Sequence, residues 1–152
     1  MTLLAIDPGR GAKATIGWCT FKDDGTEIGR GELDWAELAR LYRLAFGGRL
    51  YFGLERITTV VIEDFVNDPR VRRGGQHNGA SEVIGAVEIL AYQAHVPFIR
   101  QDRSELPAAK MHAQYTDTHK HLPHKDAAYL HGFHWFVGQG ITPAMGIGDT
   151  LK

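Results

Sequence analysis

Residues 3–21 read LLAIDPGRGAKATIGWCTF, and the fold turns on how this stretch is parsed. Leu3, Leu4, Ala5 and Ile6 are continuously apolar, the pattern of a strand buried on both faces. Asp7 then arrives with no polar residue before it, and Pro8-Gly9 turns the chain at once. Taking a carboxylate out of water costs several kcal/mol unless something pairs with it. Asp7 therefore either caps the turn at Gly9 or belongs to a charged site at the strand's end. A second strand is expected over 14–21 and a third over 27–33, joined by KDDGT with the Asp-Gly signature of a hairpin. Three strands in quick succession predict an antiparallel meander.

Further along, the pattern alternates between helix and strand. Apolar residues at 35, 38, 41, 42 and 45 have helical spacing, with Asp34 as N-cap, Glu37 at the capping-box position and Gly47-Gly48 as the break. TTVVIEDFV (58–66) is a β-branched strand with acids near its end, and 67–80, rich in Gly and Asn, is a loop. Ser81 caps a helix over 81–95 that is apolar around most of its girth, with Gly85 and Ala86 permitting close approach. VPFIR is a short strand, and RSELPAAKMHAQY is a weak helix broken near Pro107. KDAAYLHGFHWFV is a strongly apolar helix, with Pro123 placed at its start. The glycine-rich stretch 139–152 reads as a loosely ordered tail. Strands followed by strand–helix–strand crossovers predict one α/β domain over 1–152, a sheet with helices on its faces.

Composition bounds the function. At 152 residues, 43% hydrophobic and 23% charged, the chain is an ordinary single globular domain. No run of 18 apolar residues and no basic-then-apolar leader is present, so a cytoplasmic protein is expected. The single cysteine, Cys19, lies in an apolar run and reads as a small buried side chain in a reducing compartment. A formal charge of −1 excludes a globally basic protein. Positive charge is nevertheless local, in RVRR at 70–73 and in the stretch from Arg100 to Lys125, which carries Arg103, Lys110, Lys120 and four histidines. Those histidines, His112, His119, His121 and His124, match no zinc-finger spacing.

Two strands each deliver an acid near their C-terminal ends, Asp7 on the first and either Glu63 or Asp64 on the fourth. Adjacent strand residues point to opposite faces, so only one of the latter pair can share a site with Asp7. Asp126 sits in the first turn of the last helix, where the helix N-terminus favours negative charge. Converging carboxylates repel one another, and hard Mg²⁺ or Mn²⁺ ions relieve that repulsion. A pair of such ions is the usual clamp for in-line attack on a phosphodiester.

LLAIDPGRGAKATIGW, VVIEDFV, SEVIGAVEILAYQAHVPFIR and HKDAAYLHGFHW, in that order, resemble the RuvC family of Holliday-junction resolvases within the RNase H-like superfamily. The resemblance covers nearly the whole chain, and the compact length is similar to phage-type members. It implies an RNase H-like mixed five-stranded sheet flanked by helices, two divalent ions (Mg²⁺ or Mn²⁺) per site, and a homodimer through helix 81–95 that nicks four-way junctions. The family's acids fall on Asp7, on Glu63 rather than Asp64, and on Asp126. The family places a further acid or histidine three residues before the last acid, where this chain has Pro123. His124 or His121 is expected to take that role, as ligand or as acid–base group. Arg70, Arg72 and Arg73 occupy the loop that would reach into the junction, Arg103 and Lys110 are further phosphate contacts, and Phe65 would stack or wedge at the crossover. A different RNase H-like nuclease and a catalytically inactive junction-binding protein are the competing readings.

Overall fold

The computed structural model describes residues 1–9, 15–64, 79–116 and 121–143. β1 (Thr2–Asp7), β2 (Ile16–Lys22) and β3 (Glu27–Leu33) form the expected meander, with Gly25 closing the turn between the last two at a φ of +85°. After helix α1 (Trp35–Leu41) come β4 (Tyr42–Ala45), β5 (Arg49–Phe52) and the long strand β6 (Glu55–Asp64). Helix α2 (Gly79–Gln93), strand β7 (Phe98–Asp102), helix α3 (Leu106–His112) and helix α4 (His124–Gly138) complete the order.

Among the described residues the sheet has seven strands: β3-β2-β1-β6-β7 form its mixed main part, with β1, β6 and β7 parallel, and β5 and β4 continue it from the first residues of β6. Alternation along β1 builds both cores. Leu4 and Ile6 face a layer covered by Val83, Ile84, Val87 and Ala91 of α2. Leu3 and Ala5 face the opposite layer, where Ala128, Tyr129, Leu130 and Phe133 of α4 and Leu106 and Ala109 of α3 pack. The strand is buried on both faces because helices cover both. No helix among the described residues is long and apolar enough to cross a membrane.

Three local expectations change. The helical stretch after Asp34 stops at Leu41, and a β4–β5 hairpin extends the sheet along the first residues of β6. Positions 42 and 45 suit a helix, but Tyr42, Leu50 and Phe52 also suit a strand pair buried on one face, and Gly47 and Gly48 at φ +88° and +76° close the turn. Pro107 opens α3 within its first turn rather than breaking it, since a missing N–H costs nothing there. The start of the glycine-rich tail is held in place: Ile141 packs into the α4-side core, and buried Pro143 lies against Gly25. Residues 144–152 lie outside the described residues.

Two glycines set how α4 docks. A Cβ at Gly17 of β2 would collide with the His124 carbonyl, and one at Gly132 of α4 would collide with the Phe21 ring. The helix therefore meets the meander backbone to backbone, which brings its first turn over the end of β1.

Candidate active site

The β1–β6 pairing runs Ala5↔Val61 and Ile6↔Ile62, which places Asp7 beside Glu63, and Glu63 pairs in turn with Gln101 of β7. Neighbouring strands lie about 4.8 Å apart. Asp7, Glu63 and Gln101 thus form a polar row across the C-terminal ends of the three parallel strands, all on the α4 side and all buried. Asp64, the next residue, turns to the other face and lies 3.5 Å from Arg100, which is held at 2.6 Å by Glu88.

Helix α4 supplies the partners. His124 Nδ1 donates to Asp7 Oδ2 at 2.8 Å, while Asp7 Oδ1 accepts from the Gly9 backbone N–H at 3.0 Å. Two turns further along the same helical stripe, His131 Nε2 donates to Glu63 Oε2 at 2.9 Å, and its Nδ1 contacts the Gln101 carboxamide at 2.8 Å. Both histidine protons follow from the acceptor-only character of a carboxylate. The small Ala127 and Ala128 between the rings let the helix lie close to the row. His131 is 1% exposed, whereas the His124 side chain is 36% exposed at the mouth of the row. The hydrogen bond to Asp7 holds the His124 imidazole above its usual range, and the charges of Asp7, Glu32 and Glu63 add to that against the opposing effect of burial. Asp7 thus both caps the turn at Gly9 and pairs with His124 at the strand's end.

Asp126 is not in this row. It follows His124 by two positions, roughly 200° around the helix. Its Oδ1 accepts from Arg30 Nη1 at 2.9 Å and its Oδ2 from the Tyr115 hydroxyl at 2.6 Å, at 3% exposure. Arg30 in turn grips Glu27 through Nε and Nη2, at 2.7 and 3.0 Å, and lies 4.0 Å above the Tyr129 ring. The expectation that Asp126 meets Asp7 and Glu63 is corrected here: helical phase points it toward β3, where an arginine satisfies it.

Among the described residues, no three His, Cys, Asp or Glu side chains are grouped so as to hold a metal ion. The cause is visible in the pairings, since each row carboxylate faces a histidine and Asp126 faces an arginine. The donor chemistry still suits a hard divalent cation, with two carboxylates in register and an imidazole at the mouth. Of the remaining candidates, His121 is exposed, Arg103 is exposed on the single 3₁₀ turn after β7, and Lys110 is half-buried on α3. Phe65, Arg70, Arg72 and Arg73 lie outside the described residues. Among the described histidines of that cluster, His124 joins Asp7, while His112 stacks on His134 with ring centroids 6.1 Å apart; His119 lies outside the described residues. His131 and Gln101 were not anticipated. The seven-residue interval from His124 to His131 was a usable signal, but a histidine inside an apolar helix reads as core.

No protein-family model and no curated protein sequence matches the chain. Solved structures do. The chain is similar to RuvC of T. thermophilus in complex with a Holliday junction substrate, at 13% identity, with a TM-score of 0.56 over 94% of this chain and 98% of that one. The Thermus thermophilus RuvC structure is similar at 14% identity and a TM-score of 0.53, over 94% and 99% of the two chains. The curled mixed sheet and its flanking helices are a RuvC-like, RNase H-like fold.

Proposed function

We propose that this protein is a divalent-metal-dependent, structure-selective endonuclease that nicks four-way junctions or related branched DNA as a homodimer. One observation carries the reading: Asp7 and Glu63 stand side by side at the ends of the central parallel strands, beneath His124, in a RuvC-like fold. Mg²⁺ or Mn²⁺, two ions per site, would be held by Asp7, Glu63 and His124, and would supply an activated water and stabilisation of the leaving oxygen. Asp7 would exchange its histidine contact for the cation while the Gly9 N–H keeps its other oxygen oriented. His131 and Gln101 would hold Glu63 toward Asp7 and keep water from its buried side. His124, partly exposed at the mouth of the row, would serve in one of two roles: as a ligand through its neutral imidazole or, with the ions held by the two carboxylates, as the group that gives a proton to the departing 3′ oxygen. Arg103 and Lys110, with Arg70, Arg72, Arg73 and Phe65, remain the expected DNA contacts.

The outward face of α2 supports the dimer. Gly85 and Ala86 are exposed beside Ile89 and Tyr92, which are 57% and 80% exposed, so a second copy would cover an apolar stripe. A two-fold axis would then give paired sites matched to a junction's symmetry.

The test incubates a labelled four-way junction, a linear duplex and a structured RNA with protein in Mg²⁺, in Mn²⁺ and in chelator. Paired nicks confined to the junction and abolished by chelator are expected. Equal cutting of structured RNA would favour an RNA-processing nuclease of the same fold. Junction binding without nicks in either metal would leave a binding protein.

A further inference from the structure

The hairpin that the helical pattern concealed carries a surface of its own. Cross-strand register aligns Arg43 of β4, Tyr51 of β5 and Arg56 of β6 in one row, and pairs Ala45 with Arg49 beside it. Leu50, Phe52 and Ile57 belong to the core under α2, so their neighbours Tyr51 and Arg56 face the other way. The three arginines are exposed, Tyr51 is half-buried, and the residues sharing this face (Arg43, Ala45, Arg49, Tyr51 and Arg56) include no acid. Arg43 lies 5.1 Å above the Tyr51 ring, which restrains its guanidinium without neutralising it.

This face is also the face of the active-site row. Ile62, like Ile57, belongs to the α2-side core, so Glu63 and Arg56 lie on the same side of β6. A bulge at Thr58, where the register with β1 skips from Ile57 to Thr59, keeps the two in phase. Seven residues of strand at about 3.3 Å each, less the bulge, separate them by roughly 20 Å. That span equals about six base pairs of B-form DNA. Arginine is the cation best suited to bidentate phosphate contact, and a sheet face with three of them and no acid complements a polyanion rather than a mixed-charge protein surface.

We propose that the outer face of the β4–β5 ribbon, through Arg43, Arg49 and Arg56, grips the phosphate backbone of a DNA arm about six base pairs from the nicked position. The inference rests on the nuclease reading and adds a second, remote contact to it. Such a contact fixes the direction in which an arm leaves the site without reading its bases.

The test measures binding of the full chain in chelator, without cleavage, across a salt series. It compares a four-way junction of native phosphates with one whose arms carry uncharged methylphosphonate linkages four to eight base pairs from the crossover. Wild-type affinity is expected to fall about tenfold on the neutralised junction, and the log–log salt slope to flatten by two to three. The R43Q/R49Q/R56Q variant is expected to bind both junctions alike, and R43K/R49K/R56K to recover the discrimination, because phosphate neutralisation needs only the charge. Wild-type protein that binds the two junctions equally would overturn the proposal without any variant. So would a glutamine variant that discriminates as wild type does, or a lysine variant that does not. In each of those cases metal-dependent nicking of the native junction by wild type would leave the nuclease reading standing. Absence of both binding and nicking would remove both.

Discussion

Two groups of buried acid in this molecule are neutralised in different ways. Asp126 is locked by Arg30 and Tyr115, with Glu27 completing a ring of charge on β3 and α4. Asp7 and Glu63 face the imidazoles of His124 and His131. A guanidinium never gives up its proton, so Asp126 has a permanently cationic partner, which Glu27 also binds. The row carboxylates instead accept single imidazole N–H bonds, at 2.8 and 2.9 Å, with no guanidinium partner among the described residues. Burial alone therefore does not distinguish the two groups. The kind of partner does.

The sharpest way to break the contrast is Arg30→Met. It leaves Asp126 buried without its cation, and a stability loss of about 3–5 kcal/mol is expected, read as a fall in denaturant midpoint. Asp126→Asn should cost less, because Tyr115 can still donate, and should leave metal-dependent nicking near wild type once the protein is folded. Loss of nicking in a stably folded Asp126→Asn protein would return this acid to the ligand set. Asp7→Asn and Glu63→Gln are expected to lower nicking on the order of a hundredfold or more while junction binding in chelator is retained. A wild-type rate in either would remove that residue from the site.

Smaller effects sharpen the roles of the two histidines. His131→Leu removes the proton donated to Glu63, and Mn²⁺ affinity read by EPR titration should fall about 10- to 100-fold, while His131→Gln recovers much of it. An unchanged titration would make His131 a core residue only. The mildest signal concerns pH. The folded-state pKa of His124 is raised by its bond to Asp7, so the stabilisation from that pair is complete below its ordinary value near 6.5 and is lost as pH rises through the raised value. Melting temperatures of wild type and His124→Gln should therefore differ most below pH 6.5 and converge at alkaline pH. A gap that widens with rising pH would contradict the assigned pairing.

The sequence was most legible where one local rule had no rival. Four apolar residues before Asp-Pro-Gly announce β1 and its terminal acid, and Gly25 closes the β2–β3 hairpin as the Asp-Gly turn requires. It was least legible where two periods overlapped, as at Tyr42, which fits both the helical spacing from Trp35 and the alternation of a strand. The ribbon is fixed by partners distant in the chain: the Tyr42 hydroxyl donates to the Val87 carbonyl of α2 at 2.6 Å, and the Phe52 ring packs on Trp18 of β2.

By itself, the amino-acid order determined the alternating elements, the strand ends that carry Asp7 and Glu63, and a last helix rich enough in apolar residues to cover a sheet. The tertiary structure alone decided which acids share a site. Asp126 meets its arginine across 96 residues, and Glu63 meets His131 across 68. Such partners are chosen by how α4 settles against Gly17 and Phe21 and by the phase that docking imposes on its side chains. Local propensity carries no information about that phase, because a helix rotated about its own axis has the same backbone hydrogen bonds and different neighbours.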